Sequence, residues 1–424
     1  MSNLPAILGG PQAVRDRAPD WPVVDEPIIE AVVDALRQGR MSETTDMGHN
    51  LELERVFKEV HGVAHAMAVN GGTAALDSAV FAAGVGPGDE VITAPFCPGY
   101  VATPILHMNA IPVFIDVDPK TGCIDPAAIE PEITDATRAI MVVHLNGHPA
   151  DMDPIMEVAS RHGLTVIEDC AHSQGSTYKG RPTGALGHIA AFSLQSVKNL
   201  ACGEGGMVLT DDPEMYERAS LVGHHPARLN ECLEMEQYRR YLDTGLGWNY
   251  RIHMLAAAIG VLQMERFDET MALRRANAER ISHAMESIPG VGPTYVAPDC
   301  THTYYAQTLT YHPEELDGLP MQRFFEALYA EGLDRLGAHG RPIHEFGIFQ
   351  ALEFYGKGCP WTCRHAASER SYKDLSFPAI DAMRASSFVV GLPAGYVTDD
   401  PAPIDQLIEA FRKVTSHAEE IRKT

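Results

Sequence analysis

Between Ala64 and Leu209 short apolar runs alternate with stretches whose apolar residues recur at helical spacing, and few folds accommodate that pattern. Residues 64–69, 90–94, 111–115, 138–144, 165–168 and 189–194 read as strands. Helices read between them at about 72–83, opened by Gly71-Gly72-Thr73, and at 100–107 and 154–162. Strands separated by helices imply an α/β architecture with a mainly parallel sheet covered on both faces, and such sheets gather ligands at the strands' C-terminal ends. Helix-period positions at 26–38 and 51–60 lead into this region. The texture changes after Val208-Leu209. Residues 212–222, 254–267 and 269–287 read as helices, 231–242 as a charged surface stretch, and Pro289-Gly290 as a boundary. Beyond it a strand at 304–310, a helix at 321–331 and a closing helix at 403–421 outline a smaller α+β domain. The expected division is an N-terminal segment 1–24, a large domain 25–288 and a small C-terminal domain 289–424.

With 424 residues, 45% of them hydrophobic, the chain can bury the cores of two domains. Its net charge of −24 argues against nucleic acid and anionic membrane surfaces, so any phosphate or carboxylate pocket must be built locally against the global field. No apolar run approaches the length of a membrane span, and the first residues lack the basic region of a signal peptide. The eight cysteines, at 97, 123, 170, 202, 232, 300, 359 and 363, are scattered rather than framed, which suits free thiols in a reducing cytoplasm.

Val166 and Ile167 run straight into Glu168-Asp169, so Asp169 is expected to emerge at a strand's C-terminal end. Lys198, 29 residues later, follows the next apolar strand and precedes Gly203-Glu204-Gly205-Gly206. A carboxylate and an amine meeting at strand ends suit pyridoxal 5'-phosphate (PLP). The amine forms a Schiff base with the aldehyde, and the acid keeps the ring nitrogen protonated so that the ring takes up electrons. A structural ion pair is the other reading of the same two residues. Phosphate handling is the second clue. Gly71-Gly72-Thr73-Ala74 lies where a strand turns into a helix, so backbone N–H groups, the helix dipole and the Thr73 hydroxyl converge. An ordinary capped helix after a tight glycine turn carries the same residues. Ser193, five residues before Lys198, puts another hydroxyl near the same cofactor.

The stretch from Asp25 to about Leu392 resembles the DegT/StrS family of PLP-dependent sugar aminotransferases, which have the type I PLP fold. The matching motifs, in order, are VNGGTAAL, GVGPGDEVITAPF, NAIPVFIDVDPKTGCIDP, VVHLNGHPADMDPI, VIEDCAHSQGS, AAFSLQSVKNLACGEGGMVLT and LGWNYRIHMLAAAIG. Within the family the closest texture is that of cyclitol aminotransferases acting on scyllo-inosose or its 2-deoxy form. The resemblance implies Lys198 as the Schiff-base lysine and Asp169 as the partner of the pyridinium nitrogen, with Gly72, Thr73, Ala74 and Ser193 holding the phosphate. It implies that Asn249 reaches the phosphate of a neighbouring subunit, which makes the working unit a homodimer with shared sites. The 254–267 helix, apolar enough for an interface, fits burial in its own subunit as well. Phe96 is placed as the ring stacking on the cofactor, with core packing as the alternative. His172 falls beside the cofactor's phenolic oxygen. Gln174 stands where cyclitol relatives often carry His, and His344, in Arg-Pro-Ile-His at 341–344, corresponds to a substrate-loop His. The implied substrates are an amino donor, glutamine or glutamate, and a keto cyclitol or keto sugar.

Other clusters carry plainer expectations. Cys359-Pro-Trp-Thr-Cys363-Arg-His365 offers three ligands without an evident fourth or a zinc spacing, and reads as a surface insertion with no metal. His224-His225 with Arg228 either touches substrate or caps a loop. Asp116-Val-Asp118-Pro reads as a strand end and turn. Two other functions compete with transamination: a PLP dehydratase or aromatic-amine synthase of the same fold, and a non-catalytic partner that kept the fold. Sugar 3-dehydratases typically lack the lysine present here as Lys198, aromatic-amine synthases keep it, and a scaffold has no need of a nucleophile.

Overall fold

The computed structural model describes residues 3–16, 20–39, 41–42, 48–96, 99–366, 370–391 and 396–424; Cys97 and Leu392 lie outside them. A seven-stranded sheet organises the larger part, in the order His65–Val69, Gly206–Thr210, Ile189–Ser193, Thr165–Asp169, Thr137–Val143, Glu90–Thr93 and Ile111–Phe114. The strands from Ile189–Ser193 to Ile111–Phe114 run parallel. Gly206–Thr210 is antiparallel to both its neighbours, which turns His65–Val69 back into the direction of the parallel set. These strands are buried almost throughout, as continuous apolar runs between two helical layers require.

A second, four-stranded antiparallel sheet joins Val291–Gly292, Gln307–Tyr311, Ser387–Val390 and Leu336–Ala338. The strand expected at 304–310 starts later, because Tyr304 adopts a left-handed φ of 51° that no strand accommodates. The helix expected at 403–421 is two, Ala402–Thr415 and Ala418–Lys423.

The hydrophobic cores do not fall along the expected 288/289 boundary. Helix Phe267–Met285 gives Phe267 and Met271 to a core of the large sheet, and Ala278, Ile281 and Met285 to the core of the small one. Ile343, Phe349, Trp361, Tyr372 and Ile380 return to the large sheet's core. The segment around Cys359 is therefore not a surface insertion: Trp361 is 1% exposed and donates its indole N–H to Tyr372, whose hydroxyl bonds the Pro112 carbonyl. The N-terminal residues dock on the small sheet's core, where the buried Glu331 carboxylate accepts from the Ala6 and Ala13 N–H groups and from Lys413.

Two buried polar braces fix the ground around the strand ends. Glu168 accepts N–H groups from Gly184, Leu186 and Gly187 and lies 3.0 Å from His144 Nε2. His144 Nδ1 accepts from Ala150 N–H, so its proton sits on Nε2 and is donated to Glu168. Burial pushes the Glu168 carboxyl up, but the bonds from His144, Gly187 and Gly184 more than cancel this and leave it below its ordinary value. Arg228 pairs with Glu54 at 2.7 Å with both side chains buried, so it serves the core; His225 caps helix Pro226–Cys232 through Ala227 N–H. Removing one partner of such a pair costs about 3–5 kcal/mol. Asp116 accepts from Ala379 and Ile380 at a helix start and Asp118 closes a turn on Lys120 and Thr121, which occupies both carboxylates. Helix Met254–Glu265 buries Met254, Ala257, Ala258 and Gly260 within its own subunit.

Candidate active site

Strand ends and a helix start converge at one edge of the large sheet. Val69 and Ser193 both pair with Gly206, and Asp169, the last residue of its strand, pairs with Ala191. The backbones there approach closely. A Cβ on Gly72 would stand 2.6 Å from Ser193 Cβ, and one on Gly206 would stand 2.4 Å from the Gly71 carbonyl oxygen, so only glycine fits at either position. Helix Gly72–Ala82 thus begins against Ser193. No side chain caps it, and the N–H groups of its first turn have no acceptor within the helix.

Lys198 lies in the turn after Ile189–Ser193. Its N–H donates to the Gln195 carbonyl, its own carbonyl accepts from Trp21 Nε1 at 3.0 Å, and its Nζ stands 4.6 Å from the centre of the Tyr305 ring. Burial lowers its pKa to about 8, against the pull of Asp169, which favours the ammonium. Asp169 is itself pushed up by burial, opposed by the Ala171 N–H at 2.9 Å and by Lys198. His172 stacks on Tyr305 with ring centres 4.0 Å apart and 11° between planes. Burial, then the neighbouring Lys198, hold His172 well below its ordinary value, so it is neutral at physiological pH. The edge therefore carries one acid, one amine and one neutral imidazole over an aromatic floor.

The structure brings Asp169, Lys198, His172, Ser193 and the Gly72–Ala74 turn together. Phe96 is buried and packs on His339 at 5.0 Å, beside a cavity of about 470 Å³ that it lines with His172, Asn146, His339 and Arg341. Gln174 braces the Asp169 turn by donating to the Ser193 carbonyl at 2.6 Å. His344 follows Ile343, whose N–H bonds the Pro95 carbonyl, but its ring is buried against Phe377. Asn249 is exposed at a left-handed φ of 58°, on a loop that joins the end of His65–Val69 through an Arg251–Val69 bridge. Within its own chain its side chain accepts from Arg251 Nε.

The sequence alone marks neither Trp21 nor Tyr305 as a site residue. The one available signal was the Tyr304-Tyr305 pair, which alternation alone reads as the start of a strand.

Several buried polar atoms beside this cluster have no partner in the protein, among them His172 Nδ1, Gln174 Oε1 and both amide atoms of Asn199. Native proteins seldom leave such capacity unused, so these residues suit a polar ligand. The free helix start suits its phosphate.

This fold and this cluster define a PLP-dependent aminotransferase of the type I architecture. The chain belongs to the DegT/DnrJ/EryC1/StrS aminotransferase family, whose model matches residues 22–386. It is 34% identical to the L-glutamine:scyllo-inosose aminotransferase of Streptomyces griseus, with both chains covered in full. It is 33% identical to the spore coat polysaccharide biosynthesis protein SpsC of Bacillus subtilis, over 94% of this chain and 97% of that one. Among solved structures, an aminotransferase from Psychrobacter cryohalolentis superposes with a TM-score of 0.79 at 30% identity, covering 95% of this chain and all of that one. The 3-amino-5-hydroxybenzoic acid synthase superposes with a TM-score of 0.78 at 28% identity, covering 94% of this chain and 99% of that chain.

Proposed function

We propose that this aminotransferase takes an amino group from glutamine or glutamate and delivers it to the ketone of a cyclitol or sugar, in the biosynthesis of an aminoglycoside-like product. The cluster of Lys198, Asp169, His172 and Tyr305 carries the reading, because it places an amine of lowered pKa beside a carboxylate next to an open cavity. The names of the full-length relatives support the substrate class. Bound here, PLP supplies an aldehyde for amine exchange and a ring that takes up electron density.

The chain's own groups do the rest. Lys198, substantially uncharged near pH 8, takes the proton from the donor's α-carbon and later returns one. Asp169 holds the proton on the ring nitrogen. His172, neutral, offers a hydrogen bond without a competing charge. The first N–H groups of helix Gly72–Ala82, with the Thr73 and Ser193 hydroxyls, hold the phosphate. Gly72→Ala is expected to weaken PLP binding about tenfold or more, since its Cβ must push the helix start off Ser193. Fluorescence titration with PLP measures this, and unchanged affinity in the folded variant removes the turn from phosphate binding.

The decisive test offers glutamine, glutamate and alanine with scyllo-inosose, 2-deoxy-scyllo-inosose and nucleotide-linked keto sugars, with products identified by mass spectrometry. Amination of a cyclitol or sugar ketone with ping-pong kinetics is expected; no amine from any of these ketones overturns the reading. The likeness to 3-amino-5-hydroxybenzoic acid synthase favours a second reading, formation of an aromatic amine. Loss of water and a new aromatic absorbance would reveal it.

The working unit in this reading is a homodimer with shared sites. Tyr100, Val197, Leu246 and Trp248 are exposed apolar residues, and Asn249 stands exposed beside the last two. Mixing a Lys198→Ala chain with an inactive Asn249 variant is expected to restore activity, to about a quarter of wild type, because half of randomly paired dimers carry one intact site. No recovery after demonstrated subunit exchange excludes a shared site. No helix among the described residues is long and apolar enough to cross a membrane. The described cysteines are free thiols, which supports a cytoplasmic location.

A further inference from the structure

The N-terminal segment reaches the heart of the site. The Trp21 indole N–H donates to the Lys198 carbonyl at 3.0 Å, across 177 residues of sequence. The other side of this contact is equally specific. The Arg274 guanidinium, fully buried, lies 5.3 Å from the centre of the Trp21 ring and 6.0 Å from that of Tyr396. Its Nη1 donates to the Tyr304 carbonyl at 3.3 Å. Tyr304 is the residue held at left-handed φ, a conformation that a bulky side chain keeps only when its surroundings impose it. The next residue is Tyr305, whose ring lies under Lys198 Nζ and stacks on His172. These contacts close a circuit: Trp21 to the Lys198 backbone, the Lys198 amine to Tyr305, Tyr304 to Arg274, and Arg274 back to Trp21.

We propose that Trp21 is a positioning residue for Lys198: its N–H anchors the lysine's backbone while its ring, backed by Arg274, fixes the tyrosine pair on which the amine rests. This builds on the reading of Lys198 as the reactive amine. The turn that carries Lys198 needs such an anchor, because its residues 195–203 belong to no helix or strand and Val197 beside it is exposed. The turn's own hydrogen bonds, Lys198 N–H to the Gln195 carbonyl and Ser196 N–H to the Gly203 carbonyl, leave the Lys198 carbonyl to Trp21, and a displacement of about an ångström can cost a reaction two orders of magnitude. With the anchor in place, the groups surrounding the amine are Asp169 from its strand end, His172 from the turn after it, and Tyr305 from the segment before Gln307–Tyr311.

Trp21→Phe keeps an aromatic face for Arg274 and removes the donor; Trp21→His returns an N–H on a smaller ring. In full-length protein freed of cofactor, the pH dependence of Lys198 labelling by an amine-reactive reagent, read on its peptide, reports the amine's seat directly. The wild-type midpoint is expected near pH 8. In Trp21→Phe it should move upward, because a released turn lets the ammonium reach water. Amide hydrogen exchange in 195–203 should quicken in the same variant. In the loaded enzyme kcat should fall about tenfold with donor KM within about twofold, and Trp21→His should recover part of the loss. Should Trp21→Phe not fold, Arg274→Lys loosens the circuit from its other side and is read the same way. An unmoved midpoint with unchanged exchange overturns the proposal, as does a loss in Trp21→Phe that falls on KM alone. A wild-type Lys198 that labels like a surface lysine fails the underlying reading of the site instead, so the two failures are told apart.

Discussion

Lys198→Ala is expected to abolish turnover, with a loss of at least ~1,000-fold, while the purified variant keeps its fold. The amine stands over an aromatic ring beside an acid, half-buried, so its removal costs few contacts. What it removes is the one group in the cluster with a pKa near enough to neutrality to give up and regain a proton in each cycle. The pH dependence follows from the same number. The uncharged amine is the competent form, so in the cofactor-free chain its reactivity rises as pH passes upward through about 8 and falls below it. Borohydride reduction of the loaded enzyme followed by peptide mapping tests the assignment independently of rate. The cofactor should be fixed on Lys198, and a label on any other lysine ends it. The same experiment separates the enzyme from a non-catalytic scaffold, which would carry no label.

Why Asp169 and Lys198 are visible in the sequence, and the residues that anchor Lys198 are not, has a physical basis. Asp169 and Lys198 each follow an apolar run that can only be a buried strand, and parallel strands of one sheet deliver their C-terminal ends to one edge whatever the rest of the chain does. Gly72 was visible for a related reason, since a strand turning directly into a helix needs close backbone contact, here with Ser193. Trp21, Arg274 and Tyr305 meet only in the folded chain. Each has an ordinary local context: an aromatic next to prolines, a basic residue in a charged helix, an aromatic before a strand. Arg274 is the sharpest case, because in Phe267–Met285 it sits among charged residues and reads as solvated, yet it is fully buried.

The domain division failed to follow the cores for a similar reason. Pro289-Gly290 marks a real turn, but a turn says nothing about which core the flanking residues join. Helix Phe267–Met285 spans two cores, and 343–383 leaves the small sheet for the large one. The misread segment around Trp361 shows the limit of reading polarity: Cys, Pro, Thr, Arg and His surround a tryptophan that anchors the core through Tyr372. Pattern locates residues that a sheet delivers together, and it is silent on anchors that long-range packing selects.

Asp169→Asn should retain cofactor and lose most transamination, on the order of 100-fold or more, because an amide cannot hold the proton on a ring nitrogen as a carboxylate does. The substitution is nearly isosteric, and the Ala171 N–H that Asp169 accepts can be kept by the amide oxygen, so the turn should survive. A second consequence has a definite sign. The Asp169 charge raises the Lys198 pKa against the burial that lowers it. Removing that charge leaves burial unopposed, so the Lys198 amine should titrate below about 8 in the variant. If Asp169 were only a structural ion-pair partner of Lys198, this downward shift would appear while the loaded enzyme turned over at near-normal rate at a pH where the amine is uncharged. If it holds the ring nitrogen's proton, the rate loss persists at every pH, because no state of Lys198 can compensate for a poorer electron sink. Measuring kcat across pH 6–10 beside the labelling titration of the cofactor-free variant therefore assigns Asp169 to one role or the other.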